Sequence, residues 1–270
     1  MQKNRLAWNF QPERPRAMLS SLKSLFKAPA KVAPSHIGQL TYSVGDIHGR
    51  ADLFEKMIER IRADSATVGQ RPRIVLLGDY VDRGPGSRQV LDRIIRLKEE
   101  TWCDVEALMG NHEEALVQFL REPGYGVSWV EYGGAATLGS YGVQVPALRT
   151  DPEAWEAVRD AFAAVLPAAH LELLSGLEVM LQADDYLFVH AGVNPGVPLS
   201  EQGAQEFLWI RAPFLDSEKA CEYVVVHGHT PEEEPSNKRW RIGVDTGAYA
   251  TGILTGVRLL GDDRTMVQVR

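Results

Sequence analysis

Six side chains that could bind metal ions follow short apolar segments of the chain. They are Asp46, His48, Asp79, Asn111, His190 and His229. Imidazole, carboxylate and amide donors together suit Mn, Fe, Zn, Co or Ni. Six donors are too many for one open catalytic site. Divided between two ions about 3.5 Å apart, with one carboxylate bridging, they form a clamp suited to in-line displacement at phosphorus.

Asp79 is the central residue of this ligand set. The segment before it places it where a ligand would bind. Residues 73–77 are an apolar run typical of a strand buried on both faces. Asp79 then lies just past the carboxyl end of that strand, where open α/β sheets bind their ligands. Asp46 and His48 are two residues apart, so an extended chain places both side chains on one face. We therefore expect this pair to bind one ion.

Three side chains close to these donors complete a hydrolytic set. Two ions that share a water lower its pKa, which makes hydroxide available near neutral pH. Arg83 can present its planar guanidinium to phosphate oxygens. His112 can protonate the departing oxygen, with Asp82 orienting its imidazole. The residues therefore indicate hydrolysis of a phosphate ester.

Length and charge bound the kind of protein that carries these residues. The chain has 270 residues, 44% of them hydrophobic, which is enough for one sizeable core or for a core with an insertion. The net charge is -7, although residues 1–37 hold seven Lys or Arg and one Glu. The rest of the chain is therefore acidic. An acidic surface repels phosphate backbones, so we expect no nucleic-acid partner.

The chain shows no signal for a membrane or a secretory route. No stretch approaches the roughly 20 apolar residues of a membrane span. The N-terminus lacks the apolar core and cleavage site of a secretory signal. Cys103 and Cys221 are far apart beside apolar runs, which favours buried free thiols in a reducing compartment. We expect a cytoplasmic protein without a stable membrane anchor, and a poorly ordered basic tail at residues 1–37.

The remaining residues, 38–270, are predicted to form one catalytic domain of the α/β class. Strands alternate with amphipathic helices from residue 40 to residue 120. Residues 121–180 change character, and we expect a small helical cap insertion there, with one helix at 152–166. Four strands then follow closely, at 186–189, 223–226, 240–244 and 253–259. This order predicts two mixed β-sheets packed as a sandwich and flanked by helices.

Five ordered motifs resemble those of the phosphoprotein phosphatase family of metallophosphoesterases. Three are Gly-Asp-Ile-His-Gly at 45–49, Gly-Asp-Tyr-Val-Asp-Arg-Gly at 78–84 and Gly-Asn-His-Glu at 110–113. Two later motifs are His-Ala-Gly at 190–192 and Gly-His-Thr-Pro at 228–231. The resemblance runs from about residue 42 to about residue 250. Within that family, the sequence is most similar to the short bacterial and phage serine/threonine phosphatases.

This resemblance implies a calcineurin-like metallophosphoesterase fold and assigns roles to individual residues. The first ion is implied to bind Asp46, His48 and Asp79, and the second to bind Asp79, Asn111, His190 and His229. His112 with Asp82 is implied as the acid pair, and Arg83 and Arg211 as the phosphate-binding arginines. The reaction implied is attack by metal-bound hydroxide, with Mn as the expected metal.

Other residues near the motifs are predicted not to be ligands. Residues 133–137, Gly-Gly-Ala-Ala-Thr, resemble a stretch common to bacterial members, and we interpret it as a structural turn into the cap. Asp245 is predicted to be a turn residue beside the metals and Glu113 a carboxylate at a helix start. His227 occupies a position often filled by an apolar residue and is not predicted to bind metal.

Three alternatives remain beside hydrolysis of phosphoserine or phosphothreonine in a protein or peptide. Glycine-rich turns also occur in nucleotide-binding folds, but the spacing and lysine of those motifs are missing. A non-catalytic binding module would not need the complete set of ligands. Symmetrical hydrolysis of diadenosine tetraphosphate is the nearest enzymatic alternative. Asp82 and Glu113 are both of the protein-phosphatase kind and favour phosphoprotein. The oligomeric state is open.

Overall fold

The structure, a computed structural model, describes residues 35–218 and 221–270. Most of the predicted basic tail, residues 1–34, lies outside the described residues. The first strand begins at Ile37, the last residue of that predicted tail, and this side chain is buried. Within the described residues, ten strands form two five-stranded sheets. The predicted α/β fold with two mixed sheets is therefore confirmed.

The first sheet contains the strands that precede Asp46, Asp79 and Asn111. Its strands are β1 (Ile37–Val44), β2 (Arg73–Leu76), β3 (Asp104–Ala107), β9 (Leu254–Gly261) and β10 (Asp263–Val269), in the order β10-β9-β1-β2-β3. The first three are parallel, and Val44, Leu76 and Ala107 are in register. Because these residues end their strands, the loops that follow all leave the sheet at one edge.

The second sheet contains the strands that precede the later histidines. Its strands are β4 (Met180–Ala183), β5 (Tyr186–Val189), β6 (Val224–His227), β7 (Ser236–Asn237) and β8 (Arg241–Gly243), in the order β4-β5-β6-β8-β7. Strands β5, β6 and β8 are parallel, and β4 and β7 are antiparallel edge strands. His190 directly follows β5, and His229 follows β6.

Helices cover the outer faces of the two sheets. They are α1 (Ala51–Val68), α2 (Ser87–Glu99), α3 (Asn111–Arg121), α4 (Gly126–Glu131), α5 (Gly134–Ser140), α6 (Pro152–Val165), α7 (Ala168–Ser175), α8 (Ala204–Trp209), α9 (Ala212–Leu215) and α10 (Ala248–Thr251), with 3-10 turns at Pro123–Tyr125 and Leu199–Glu201. The start of α6 follows from its sequence. Asp151 accepts hydrogen bonds from two N–H groups of the first turn, and Pro152 occupies the first helical position.

The insertion at 121–180 is helical, as the sequence predicts, but it does not form a separate lobe. Its side chains Trp129, Trp155 and Phe162 are buried in the same apolar cluster as Phe119 of α3. Tryptophan and phenylalanine bury large areas and stabilise such a cluster strongly. The insertion is therefore an extension of the main core on the outer face of the first sheet.

A second apolar cluster lies between the sheets and makes the predicted sandwich. Val75 and Val257 of the first sheet share it with Phe188 and Val226 of the second. Among the described residues, no helix combines the length and apolar character that a membrane crossing requires. Both cysteines are free; Cys103 is buried as expected, and Cys221 is only half-buried.

Candidate metal centre

The loops of the site depend on left-handed backbone at residues other than glycine. His48, Asp79, Asp82, Arg83 and His229 have φ values of 45°, 53°, 71°, 66° and 65°. Each such residue costs of order 1–3 kcal/mol unless surrounding contacts hold it. The extended conformation assumed above for the pair Asp46 and His48 is therefore wrong, because β1 ends at Val44 and His48 lies in a turn.

Four side-chain atoms from both sheets converge to form the first half of the site. Asn111 Oδ1 lies 2.9 Å from His190 Nε2 and 2.8 Å from His229 Nδ1. The two histidine nitrogens are 3.2 Å apart, and Asp79 Oδ1 is 3.3 Å from His190 Nε2. His190 Nδ1 lies 3.0 Å from the Leu77 carbonyl, so the proton of this ring belongs there. Its Nε2 lone pair then points into the cluster.

The composition of this cluster fits a bound cation. Burial, with repulsion from neighbouring positive charge, lowers the pKa of His190 well below its usual value and that of His229 to about 3. Both rings are therefore neutral, which is the form that binds a metal. Ligands about 2.0–2.2 Å from a shared ion lie roughly 3 Å apart. The four atoms have this spacing. Because they are mostly lone-pair acceptors that repel one another, a bound cation would stabilise the cluster.

A second cluster shares Asp79 with the first. Asp79 Oδ2 lies 3.5 Å from His48 Nε2 and 3.8 Å from His112 Nε2. His48 Nδ1 lies 2.9 Å from the Val81 carbonyl and donates its proton there. The Nε2 lone pair of His48 is thereby directed towards Asp79. One oxygen of Asp79 faces each cluster, which is the arrangement that a bridging ligand needs.

Asp46 is next to this second cluster but is turned towards other partners. Both of its carboxylate oxygens accept from the backbone N–H of His229, at 3.2 and 3.1 Å. Burial, and then repulsion from Asp245 and Asp79, raises the pKa of Asp46. In the described residues, the compact group therefore contains His112 where the sequence predicts Asp46, and the ligand role of Asp46 stays a prediction.

The two residues predicted as the acid pair, His112 and Asp82, are in direct contact. His112 Nδ1 lies 2.7 Å from Asp82 Oδ2, and both side chains are buried. The other ring nitrogen, Nε2, faces Asp79 and lies 3.4 Å from an Arg83 nitrogen. Burial lowers the pKa of His112, but the charges of Asp79 and Asp82 outweigh burial and raise it. The geometry gives a histidine able to hold a proton next to the two clusters.

Both predicted arginines lie at the site. The Arg83 guanidinium carbon is 4.6 Å from the centre of the Tyr249 ring, a cation–π contact. Arg211 is exposed, precedes α9 and lies 3.4 Å from Thr230 Oγ1. Its charge helps to lower the pKa of His229. Arg83 is therefore held by an aromatic ring, whereas Arg211 extends from the rim.

Several residues that organise the site were given no such role from the sequence. Glu113, predicted only as a carboxylate at a helix start, accepts four backbone N–H groups from the metal loops. Trp129 and Thr137 of the insertion donate hydrogen bonds to the Asp82 carboxylate. Tyr249 contacts both Arg83 and the His48 ring. Glu113 and Thr137 had a signal in the sequence, because Glu113 ends the Gly-Asn-His-Glu motif and Thr137 belongs to the Gly-Gly-x-x-Thr stretch. Trp129 and Tyr249 had none.

Sequence comparison relates the chain to a phosphoesterase family and to enzymes named as phosphatases. A model of calcineurin-like phosphoesterases matches residues 42–251. An asymmetrical bis(5'-nucleosyl)-tetraphosphatase of Anoxybacillus flavithermus is 23% identical over 236 residues, covering 80% of this chain and 88% of that protein. A zinc-dependent endopolyphosphatase of Saccharomyces cerevisiae is 26% identical over 160 residues, covering 57% of this chain. The aligned part is 47% of that enzyme, about half its length.

Structural comparison gives the same fold at low identity. A protein described as a candidate diadenosine tetraphosphatase superposes with a TM-score of 0.58 and 20% identity, over 87% of this chain and 99% of that one. A cold-active protein-tyrosine phosphatase of Shewanella sp. superposes with a TM-score of 0.55 and 16% identity, over 88% and 83% of the two chains. At these identities the likeness shows the fold alone.

Proposed function

Because the chain belongs to the calcineurin-like phosphoesterase family, we propose that it is a protein serine/threonine phosphatase. The family consists of dinuclear metal-dependent hydrolases, so the proposal concerns the substrate and the roles of the residues. The single observation that carries it is the buried contact between His112 and Asp82, at 2.7 Å, beside two clusters of metal-binding groups.

The two clusters divide the six predicted ligands between two ions. His48 and Asp79, with Asp46 beside them, would hold one ion. Asp79 with Asn111, His190 and His229 would hold the other. When bound, a pair of divalent ions polarises the phosphate and lowers the pKa of water between them. The mixed donor set allows Mn, Fe, Zn, Co or Ni, and Mn²⁺ remains our prediction, as does a cytoplasmic location.

The acid pair favours substrates whose leaving group needs a proton. The leaving groups of phosphoserine and phosphothreonine are alkoxides, whose conjugate alcohols have a high pKa. Protonation by His112 would therefore raise the rate, typically by about 10²–10⁴-fold. A phosphate chain leaves as a stable anion and gains much less. Asp82 accepts from Nδ1 and so directs the other nitrogen, Nε2, towards the clusters. This assignment of the two ring nitrogens supports phosphomonoesters of serine and threonine.

Two arginines would bind the phosphate from different sides. Arg83 lies 3.4 Å from His112 Nε2, so a phosphate bound by its guanidinium has its leaving oxygen within reach of the acid. Arg211 would add a second guanidinium from the rim. Planar guanidinium groups bind two oxygens at once, which fixes the orientation of a phosphate. Since the chain is acidic overall, we expect basic phosphopeptides to be preferred.

Symmetrical hydrolysis of diadenosine tetraphosphate is the second candidate, and two exposed rings favour it. Tyr132 is 57% exposed and Tyr249 is 39% exposed. The Tyr249 ring packs against the Arg83 guanidinium. Tyr132 precedes Gly133, whose carbonyl accepts the Arg83 backbone N–H. A base stacked on an aromatic ring gains about 1–3 kcal/mol. A relative named as an asymmetrical tetraphosphatase aligns over 80% of this chain, which supports a dinucleotide substrate, and one named as symmetrical aligns over 27%.

The two candidates are separated by kcat/KM measured side by side in Mn²⁺. The substrates are phosphoserine, phosphothreonine and phosphotyrosine peptides and diadenosine tetraphosphate. We expect the phosphoserine and phosphothreonine peptides to be preferred. A preference of orders of magnitude for the dinucleotide would overturn the protein phosphatase proposal.

A variant of the acid tests the mechanism separately. We expect His112→Asn to lower kcat on a phosphoserine peptide far more than on p-nitrophenyl phosphate, whose leaving oxygen hardly needs a proton. His36→Asn is the matched control, since His36 is exposed and pairs only with Asp262 among the contacts described for its side chain. Equal losses on both substrates would remove His112 from the acid role.

A further inference from the structure

Asp82 is buried in a site built by three elements that are distant in sequence. Its side chain is fully buried. His112 Nδ1 and Trp129 Nε1 lie 2.7 and 2.8 Å from its Oδ2 atom, and Thr137 Oγ1 donates to its Oδ1 atom at 2.6 Å. A buried carboxylate without such donors is costly, and each donor also fixes the orientation of the group.

The direction of these hydrogen bonds follows from the chain of donors. The backbone N–H of Asp82 donates to Thr137 Oγ1 at 2.8 Å and to Ser87 Oγ at 3.1 Å. The single proton of Thr137 is directed to the Asp82 carboxylate. The Ser87 hydroxyl, 3.0 Å from Thr137 Oγ1, can then donate to Thr137. Thr137 therefore holds both the backbone and the side chain of Asp82, a residue with left-handed φ.

The same segment also holds the residue next to Asp82. The backbone N–H of Arg83 donates to the Gly133 carbonyl at 3.2 Å. A side chain at Gly133 would come within 2.8 Å of Arg83 Cγ and N, and φ there is 118°. Gly134 packs directly against the Trp129 ring. The two glycines thus allow α4 and α5 to lie close to the loop that contains Asp82 and Arg83, so that Trp129 and Thr137 reach Asp82.

We propose that Trp129 and Thr137 are positioning residues for proton transfer, and that they act by aligning Asp82 with His112. The proposal rests on the proposed role of His112 as the acid. It differs from a structural role in one respect. A loss of alignment impairs the transfer of a proton to the leaving group, so the damage grows as the leaving group becomes poorer. A loss of fold or of metal impairs all substrates alike.

The test compares phenyl phosphate, a poor leaving group, with p-nitrophenyl phosphate. We expect Thr137→Val and Trp129→Phe to lower kcat/KM for phenyl phosphate by about tenfold or more, a part of the full effect of an acid catalyst, and for p-nitrophenyl phosphate by much less. Thr137→Ser should restore the wild-type ratio. Equal losses on the two substrates, or no recovery with serine, would overturn the proposal.

Matched controls come from the same protein. Trp155 is buried in the same insertion and donates to a backbone carbonyl, and Thr41 is buried in β1 and donates to the Gln39 carbonyl. Trp155→Phe and Thr41→Val lose equivalent groups away from Asp82. Both should leave the ratio of the two substrates as in the wild type. If either control changed that ratio as much as Thr137→Val does, loss of any buried hydrogen-bonding group would have this effect, and the proposal would be overturned.

A readout that needs neither metal nor turnover separates this proposal from the proposed function. In ¹H–¹⁵N spectra of the metal-free protein, the His112 Nδ1 proton should be observable in the wild type and in Thr41→Val. It should be broadened or lost in Thr137→Val. An unchanged signal overturns the positioning role. If the wild type hydrolyses no phosphomonoester, the proposed function fails, and this signal still decides whether Thr137 aligns the pair.

Discussion

Glu113 provides a sharp test of how the metal loops are held, because its two oxygens serve four donors. Oε2 accepts the backbone N–H groups of Asp79 at 2.8 Å and Gly110 at 3.0 Å. Oε1 accepts those of Tyr80 at 2.8 Å and Val81 at 3.2 Å. Glu113 is fully buried. In the substitution Glu113→Gln, one of these oxygens becomes an NH₂ group that can only donate.

The magnitude follows from the count of donors that lose their acceptor. Whichever way the new side-chain amide turns, two buried N–H groups face a donor. Each buried group left without a partner costs about 1–3 kcal/mol, so the free energy of unfolding should fall by about 2–6 kcal/mol. That is a large part of the roughly 5–15 kcal/mol that stabilises a typical domain.

The assay is denaturant unfolding of the metal-free protein, so that metal binding does not enter the comparison. Glu59→Gln is the matched control, since Glu59 is an exposed residue of α1. Glu113→Gln should unfold at a clearly lower denaturant concentration than this control. If the two variants differ by less than about 1 kcal/mol, below the cost of a single unsatisfied group, Glu113 is not the acceptor that holds these loops.

Three further changes test other parts of the molecule. Asp79→Asn should cause the greatest loss of bound metal, measured by elemental analysis, because one residue serves both clusters; a wild type that is fully active with one ion per chain would contradict the dinuclear assignment. Arg83→Ala should raise KM and lower kcat, since the guanidinium contacts phosphate in the ground state as well; a change in kcat alone would argue against that contact. The hydrogen bond from Tyr42, and then the charge of Arg258, lower the pKa of Asp64. Its contribution to stability is therefore present above the unfolded pKa of about 3.9 and is lost as the pH falls through the lower folded value. Acid titration of the unfolding free energy should show a smaller loss in Asp64→Asn than in the wild type, and equal losses would contradict the sign.

The positions of the metal-binding groups were predictable because they depend on a simple rule of sheet architecture. Parallel strands of one sheet end at a common edge, so the polar residues after β2 and β3 had to lie near one another, and so did those after β5 and β6. Asp79, Asn111, His190 and His229 do so. The strand pattern placed each of these residues at a strand end, and the family resemblance assigned them to a shared ion. The fold class followed from the same pattern.

The local geometry of the loops was not predictable in this way. Left-handed φ at His48 and Asp82 comes from contacts with distant groups, and no short-range pattern in the sequence specifies it. Thr137 is 55 residues from Asp82, and Trp129 is 47 residues from it. Such contacts depend on how a helical insertion packs, which periodicity does not determine. For the same reason the sequence did not show that the insertion at 121–180 packs its aromatic side chains into the main core.

The candidate centre requires the closed sandwich, because its groups come from both sheets. Asp79 follows the first sheet, and His190 and His229 follow the second. Hydrogen bonds cross between them at the site, among them the bond from His190 Nδ1 to the Leu77 carbonyl and the bond from the backbone N–H of His229 to Asp46. The first bond orients the His190 ring by the backbone of the first sheet, and the second fixes the His229 backbone to a side chain that follows the first sheet. The lone pairs therefore converge only when β5 and β6 are seated against β1 and β2. Neither sheet alone contains a complete set of ligands, and the interface between them is what turns separate strand ends into one site.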